Sequence, residues 1–311
     1  MKKILSIDGG GIRGLIPALV LAEIEKRTGK SVAESFDLIA GTSTGGILAL
    51  GFSKNDGNGK AQYQATTLAR IYRDRGREIF SRSFWKGMSS ANGLLDELYP
   101  STGIDKVLDD HFGNVTLGSC LTNTLVTTYD IQNREPVFLK SWREEFRSVL
   151  MKDAARATSA APTYFEPALV PVGGSVRALV DGGVFINTPS VSAYAEAMRL
   201  FPDEKEFFLL SLGTGELNRP IGYGESKDWG KAGWLQPLLS CMFDGSADAA
   251  HYQMGMFLGD HYVRMQTNLS IASDDMDNAS PGNIENLESE SRKLIETQQK
   301  ELDQVCAMLA G

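Results

Sequence analysis

Phe36-Asp37-Leu38-Ile39-Ala40-Gly41-Thr42-Ser43-Thr44-Gly45-Gly46-Ile47-Leu48-Ala49-Leu50-Gly51-Phe52 decides the fold. Residues 36–40 read as a short buried strand. A Gly/Ser/Thr turn follows, and residues 46–52 are apolar and helical. The same order occurs once before. Ile4-Leu5-Ser6-Ile7 is an apolar strand that enters Asp8-Gly9-Gly10-Gly11. Residues 15–27 then place Leu15, Leu19, Ala22 and Ile24 at helical spacing, with Pro17 in the first turn and Gly29 as the stop. Two successive strand–loop–helix units predict an α/β fold whose mostly parallel sheet is covered by helices on both faces.

Outward from this start, strands are expected at residues 121–131, 136–142, 176–180, 206–212 and 261–266. Helices are expected over residues 61–80, 148–160 and 190–200, and one amphipathic helix over residues 284–309. No internal repeat, long linker or low-complexity tract interrupts the pattern, so one domain over residues 1–311 is expected.

Composition narrows the function. With 42% hydrophobic residues the chain has enough apolar mass for a sizeable core, which excludes a mainly disordered protein. Lys plus Arg number 31 and Asp plus Glu 39, a net charge of −8 that argues against a nucleic-acid polymer as partner. Cys120, Cys241 and Cys306 are an odd number without CxxC spacing, which points to a reducing compartment. Asp8 ends the first apolar run before a signal-peptide core forms. The uncharged run 38–53 falls short of the roughly 18 residues of a membrane span. A soluble, cytoplasmic protein is expected.

Gly41-Thr42-Ser43-Thr44-Gly45 fits G-x-S-x-G between a strand and a helix. In that context the sharp turn lifts the serine hydroxyl above the sheet edge. The helix N-terminus behind Ser43 adds free amides where an oxyanion would form. Gly9-x-Gly11-x-x-Gly14 also follows a strand, and it has two readings. One is a dinucleotide loop, for which Glu34 or Asp37 would have to bind the ribose. The other is an oxyanion hole built from glycine amides, and only this one uses both motifs.

A serine nucleophile needs a proton acceptor. The order Ser43, Asp181, His251 would mimic the Ser-Asp-His triad of an α/β-hydrolase esterase. Yet nothing around His111, His251 or His261 presents a catalytic loop, and His261 is expected to be structural. Asp181 instead follows Ala178-Leu179-Val180 and precedes Gly182-Gly183. That places a carboxylate at the C-terminal end of an expected parallel strand, where α/β folds put their ligand sites. A dry pocket and direct contact with Ser43 would make it a sufficient base.

Together these pieces resemble the patatin-like phospholipases, or patatin-like lipid acyl hydrolases, of the bacterial type. Asp8-Gly9-Gly10-Gly11-Ile12-Arg13-Gly14 looks like the oxyanion loop of that family, residues 41–45 like its nucleophile elbow, and Asp181-Gly182-Gly183 like its aspartate motif. Ala157-Thr158-Ser159-Ala160-Ala161-Pro162-Thr163-Tyr164-Phe165 and Ser211-Leu212-Gly213-Thr214-Gly215 also match, in family order. The resemblance implies a three-layer α/β/α sandwich and a phospholipase A or lysophospholipase activity through an acyl-enzyme. On that pattern Ser43 is the nucleophile and Asp181 the base, without histidine. The amides of Gly10 and Gly11 are the oxyanion donors. Gly9, Arg13, Gly14, Gly41, Thr44, Gly45, Gly182 and Gly183 support them, with Arg13 fixing the loop or meeting a phosphate. No metal or organic cofactor is implied. The family often has Asn-Asn-Pro after its aspartate, whereas Asn187-Thr188-Pro189 stands here.

Two further stretches bear on partners. Between residues 70 and 86, Arg70, Arg73, Arg75, Arg77, Arg82 and Lys86 outnumber Asp74 and Glu78 and alternate with Tyr72, Phe80, Phe84, Trp85 and then Met88. A solvated helix face is the ordinary reading. Transient contact with an anionic membrane surface is the functional one, and a small nucleotide activator is a third that the resemblance allows. Asp274, Asp275 and Asp277 lack the spacing of a calcium loop and are expected to be solvated.

Overall fold

Strand β1 (Lys2–Ile7) shows why the sheet lies inside the protein. Ile4 points into one apolar cluster and Leu5 and Ile7 into another. Further along the sheet, β7 (Phe207–Leu212) repeats the alternation: Phe207 and Leu209 join Ile4, while Phe208, Leu210 and Leu212 join Leu5. Strands with no polar face need cover on both sides. The computed structural model describes residues 1–80, 102–162, 164–216 and 220–310, and it supplies that cover as a three-layer α/β/α arrangement.

On one face lie α1 (Leu15–Thr28), α3 (Thr44–Ser53) and α4 (Ala65–Phe80), joined late in the chain by α10 (Pro281–Thr297) and α11 (Gln299–Ala310). Between α1 and the next strand is α2 (Val32–Ser35), a single turn closed by a Ser31–Glu34 capping box. On the other face lie α7 (Ser190–Leu200) and α9 (Lys231–Leu258), preceded by the short α8 (Tyr223–Ser226). A third apolar cluster gathers α5 (Thr102–Phe112) and α6 (Met151–Thr158) over one end of the sheet. No described helix is long and apolar enough to cross a membrane.

Eight described strands form one sheet. β2 (Leu38–Thr42) and β3 (Asn123–Asp130) continue β1 in parallel on one side, and β7 and β8 (Tyr262–Met265) do so on the other. Three pairings are antiparallel: β4 (Glu135–Lys140) on β3, β6 (Ser175–Asp181) on β3, and β5 (Ala168–Val172) on β6. The register around β3 positions the site. β3 pairs with β2 up to Thr42↔Thr127 and with β6 from Thr128↔Asp181 onward. β2 and β6 therefore meet end to end along one edge of β3, and Asp181 arrives beside Thr42 and Ser43. This corrects the expectation of a parallel strand before Asp181. The carboxylate sits above the C-terminal end of β2, but it gets there on a strand running the opposite way.

Other boundaries also shift. The strand expected at 36–40 begins at Leu38, because Phe36 still bonds back to Val32 at the end of α2. The expected helix 284–309 is two helices with a break at Gln298, whose side chain donates to the Gln266 carbonyl. Helices α5 and α9 and strand β5 have no counterpart in the sequence reading.

Asp8 ends β1 and is buried. Its Oδ2 accepts from Arg264 Nη2 at 2.6 Å and from Thr188 Oγ1 at 2.8 Å, and Arg264 Nη1 donates to Ser211 Oγ at 2.9 Å. Arg264 stands on β8, two strands away, and is itself nearly buried. Removing one partner of such a pair leaves an uncompensated buried charge. We expect Arg264→Gln to lower the unfolding free energy by about 3–5 kcal/mol in urea denaturation. The double variant Asp8→Asn/Arg264→Gln, with no charge left to bury, should recover a large part of that loss.

Candidate active site

β2 ends at Thr42, and Ser43 adopts φ 55° and ψ −124° before α3 begins at Thr44. A non-glycine residue at positive φ is strained, and such strain persists only where neighbours over-determine it. Here they do. The Ser43 amide donates to Thr158 Oγ1 at 2.8 Å, and that hydroxyl donates to the Thr127 carbonyl at 2.7 Å. Thr42 Oγ1 donates to the Ile186 carbonyl at 2.9 Å. The turn also needs its glycines: a Cβ on Gly45 would lie 2.2 Å from the Ile7 carbonyl oxygen. Gly41 packs equally closely on Gly45, and Gly14 on Thr44, whose hydroxyl is bonded to Tyr72.

Asp181 meets this elbow from the end of β6. It is buried, its Oδ1 accepts from the Gly183 amide at 2.7 Å, and it lines the same cavity as Ser43, whose hydroxyl favours the charged carboxylate. Gly182 packs on Thr127. Burial pushes the carboxyl up to about 7, against the opposing pull of the Ser43 hydroxyl and the Gly183 amide.

The loop after β1 closes over both residues. The Gly9 amide donates to the Asn187 carbonyl at 3.1 Å, and its carbonyl accepts from Thr214 Oγ1 at 2.7 Å. Arg13 is buried and its Nε reaches the Gly10 carbonyl at 3.4 Å. Burial works against the Arg13 charge, and Asp274, Asp244 and Asp275 support it. Gly11 has φ +57°, and the Met276 carbonyl lies where its Cβ would be, at 2.1 Å. That same carbonyl accepts from the Ile12 amide at 2.8 Å. The amides of Gly10 and Gly11 have no acceptor among the described residues.

Gly10, Gly11, Ser43 and Asp181 open together on a cavity of about 330 Å³ whose other walls include Ile47, Phe165, Val184, Met242 and Phe243. A larger cavity, of about 670 Å³, opens beside Lys3 and Asp37 and holds none of these residues. Asp37 is engaged there by Lys2 and the Lys3 amide, so it does not approach the glycine loop. No histidine lines the smaller cavity. His251 Nδ1 shares a hydrogen bond with the Tyr262 hydroxyl at 3.2 Å, His111 packs on Tyr63, and His261 lies in the turn before β8.

Several positioning groups were not assigned a role from sequence. Thr158 and Thr214 lie inside quoted motifs, and their hydroxyls turn out to hold the elbow and the loop. Asn187-Thr188, the departure from the family pattern, ties the aspartate loop to Gly9 and Asp8. Residues 274–277 are only partly the solvated loop expected: Asp275 is exposed, but Asp277 is buried, and Met276 and Asp277 form part of the cavity wall. Within the basic stretch, Arg73 pairs with Glu288 and Arg75 with Glu78 and Asp110, while Arg70 and Arg77 are exposed. Arg82, Phe84, Trp85, Lys86 and Met88 lie outside the described residues.

A family model for patatin-like phospholipases matches residues 5–194, from β1 through the elbow and the aspartate motif into α7. The chain belongs to the patatin-like phospholipase family. Patatin-like protein 4 of Arabidopsis thaliana is 29% identical over 94% of this chain and 83% of its own length. Patatin-2-Kuras 4 of Solanum tuberosum is 30% identical over 92% of this chain and 84% of its own. The structure also aligns with VipD from Legionella pneumophila at 11% identity and a TM-score of 0.44, over 95% of this chain and 67% of that one. Patatin-like phospholipases are lipid acyl hydrolases. Another relative, named "Probable inactive patatin-3-Kuras 1" and also from Solanum tuberosum, is equally similar at 30% identity. Overall patatin likeness therefore does not separate active members from inactive ones, and the site geometry has to.

The raised Asp181 carboxyl carries a stability consequence with a definite sign. Its folded value, about 7, exceeds the ordinary 3.8. The protonated form thus favours the fold, and that contribution disappears as the pH rises from about 4 through 7. Asp181→Asn should unfold at higher urea than wild type at pH 8, by an amount on the order of 4 kcal/mol. The gain should shrink toward zero at pH 4, as measured by urea titrations at both pH values.

Proposed function

We propose that this chain is a lipid acyl hydrolase of phospholipase A or lysophospholipase type, working through a Ser43–Asp181 dyad and an acyl-enzyme. The observation that carries the reading is that the strained Ser43 and the buried Asp181 carboxylate share the wall of one apolar cavity lined by no histidine.

In this mechanism Asp181 takes the Ser43 proton as Oγ attacks the acyl carbonyl. A carboxylate near 7 is matched to that task around neutral pH. The developing oxyanion meets the amides of Gly10 and Gly11, which are free of protein acceptors among the described residues. Asp181 then hands its proton to the departing alkoxide, and the acyl group stays on Ser43. Water follows by the same route: Asp181 takes its proton, and the collapsing intermediate returns Oγ–H and frees the fatty acid. The acyl chain lies along Ile47, Phe165, Val184 and Phe243. A volume of about 330 Å³ is at the lower end for a small-molecule site.

The two rival readings find less support. A triad would need a histidine at the cavity, and His251 is occupied with Tyr262. A dinucleotide loop would need the face of Gly11 open to a pyrophosphate, and the Met276 carbonyl fills it. Substrate and product here are small or lipidic, and the walls described need no metal or cofactor for this chemistry. A cytoplasmic site of action is proposed on the three free cysteines Cys120, Cys241 and Cys306, which suit a reducing compartment.

Ser43→Ala and Asp181→Asn should each reduce hydrolysis of a short p-nitrophenyl ester and of phosphatidylcholine to background, and the double variant should be little worse than either, because the pair acts as one unit. His251→Ala should keep turnover within a few-fold. For the wild type, kcat/KM should rise through one ionisation near pH 7 and then level off. A profile flat from pH 5.5 to 8.5, or loss of turnover in a folded His251→Ala protein, would remove the dyad. Gly11→Ala, which displaces the loop from Met276, should lower kcat by about 10²–10³ with KM little changed.

A further inference from the structure

Helix α9 is apolar on two opposite faces. On one, Ala250 and Met254 are buried, Met254 among Ile4, Leu38 and Leu209 of the sheet. On the other, Trp234, Leu238, Met242, Tyr252 and Met256 are exposed, from 38% at Trp234 to 71% at Met256. At 3.6 residues per turn these five fall within about a quarter of the helix circumference, in a stripe about 33 Å long. Gly245 and Ala249, also exposed, fill the same face between Met242 and Tyr252. No charge interrupts the stripe.

Its position gives it meaning. Met242 belongs both to the stripe and to the wall of the cavity that holds Ser43, and half-exposed Val184 adjoins the same cavity. The apolar surface is thus continuous with the proposed route of the acyl chain. A second copy of the chain covering the stripe would sit over that route and obstruct the substrate. The charges around it select the kind of lipid. Asp244 and Asp248 flank the stripe on α9, Asp274 and Asp275 precede the wall residue Met276, and the only Lys or Arg in the helix is Lys231 at its first position. An anionic surface would be repelled.

We propose that α9 docks the protein on a zwitterionic phospholipid surface, with the cavity mouth toward the bilayer. This rests on the acyl-hydrolase reading for its purpose. Trp234, in edge contact with Trp229, and Tyr252 sit at the headgroup level, while Leu238, Met242 and Met256 enter the acyl boundary. The fatty-acyl chain then passes from the bilayer past Met242 into the cavity without crossing bulk water.

The test replaces Leu238, Tyr252 and Met256, none of which lines the cavity, with Glu. Binding is measured by co-sedimentation with phosphatidylcholine vesicles and with phosphatidylglycerol vesicles, in a Ser43→Ala background so that no lipid is consumed. The Ser43→Ala protein should sediment with phosphatidylcholine, should do so as well in 0.5 M NaCl, and should gain nothing from phosphatidylglycerol. Adding the three Glu substitutions should weaken sedimentation by about tenfold or more. With Ser43 intact, the triple variant should hydrolyse a short soluble ester within about twofold of wild type and vesicle phosphatidylcholine at least about tenfold more slowly. Equal sedimentation of the two proteins, a preference for phosphatidylglycerol, or a dimer that the Glu substitutions dissolve without changing vesicle binding would overturn the proposal. A wild type that binds vesicles but hydrolyses neither ester leaves docking standing and removes the acyl-hydrolase reading instead.

Discussion

One buried carboxylate holds the active end of this protein together. Asp8 lies where β1 gives way to the glycine loop, and its Oδ2 is shared between Arg264 of β8 and Thr188 of the segment that follows Asp181. Three pieces of chain distant in sequence are thereby fixed to one oxygen. The remaining joints are made by threonine hydroxyls bonded to backbone: Thr158 holds the Ser43 amide, Thr42 the Ile186 carbonyl, and Thr214 the Gly9 carbonyl. Each is short, β-branched and confined to few rotamers, so little freedom is lost when the joint forms. A set of such links can hold the strained backbone at Ser43 without any large side chain entering the cavity.

The sheet topology explains how a serine and an aspartate reach one cavity wall. If β6 were parallel to β3, its C-terminal end could not stop head-on against the end of β2. Because β6 runs back along the edge of β3, the pairing Thr42↔Thr127 is followed at once by Thr128↔Asp181. The carboxylate enters at the height of the elbow, and no intervening ring is needed to span the distance. Fold and proposed chemistry are linked here: the antiparallel strand places the base.

Much of this was legible in the sequence. Strands at residues 4–7 and 207–212, apolar except for Ser6 and Ser211, announce a sheet buried on both sides, and the glycine spacing at residues 41–45 announces the elbow. What stayed hidden did so for physical reasons. The pattern Ala178-Leu179-Val180 reports burial but carries no information about the direction of its neighbour. Helix α9 is apolar on opposite faces, so no 3.6-residue contrast marks it. Residues 274–277 look solvated because three of the four are aspartates, yet Met276 acts through a backbone carbonyl, which any residue type supplies. The break at Gln298 has neither glycine nor proline to signal it. Arg264 sits in a short strand, and its role exists only once β7 and β1 bring Asp8 within reach.

The burial that raises the Asp181 carboxyl links the site to its own contents. The cavity that keeps this carboxylate dry is the one in which the acyl chain would lie. On the proposed chemistry, an apolar tail packed along Phe165 and Phe243 would expel water from beside the carboxylate and make it a stronger proton acceptor. A short or polar acyl group would leave water in place, and the carboxylate would be correspondingly weaker. Chain length would then be sensed through the hydration of the catalytic group itself, so that a well-fitting substrate tunes the basicity that consumes it.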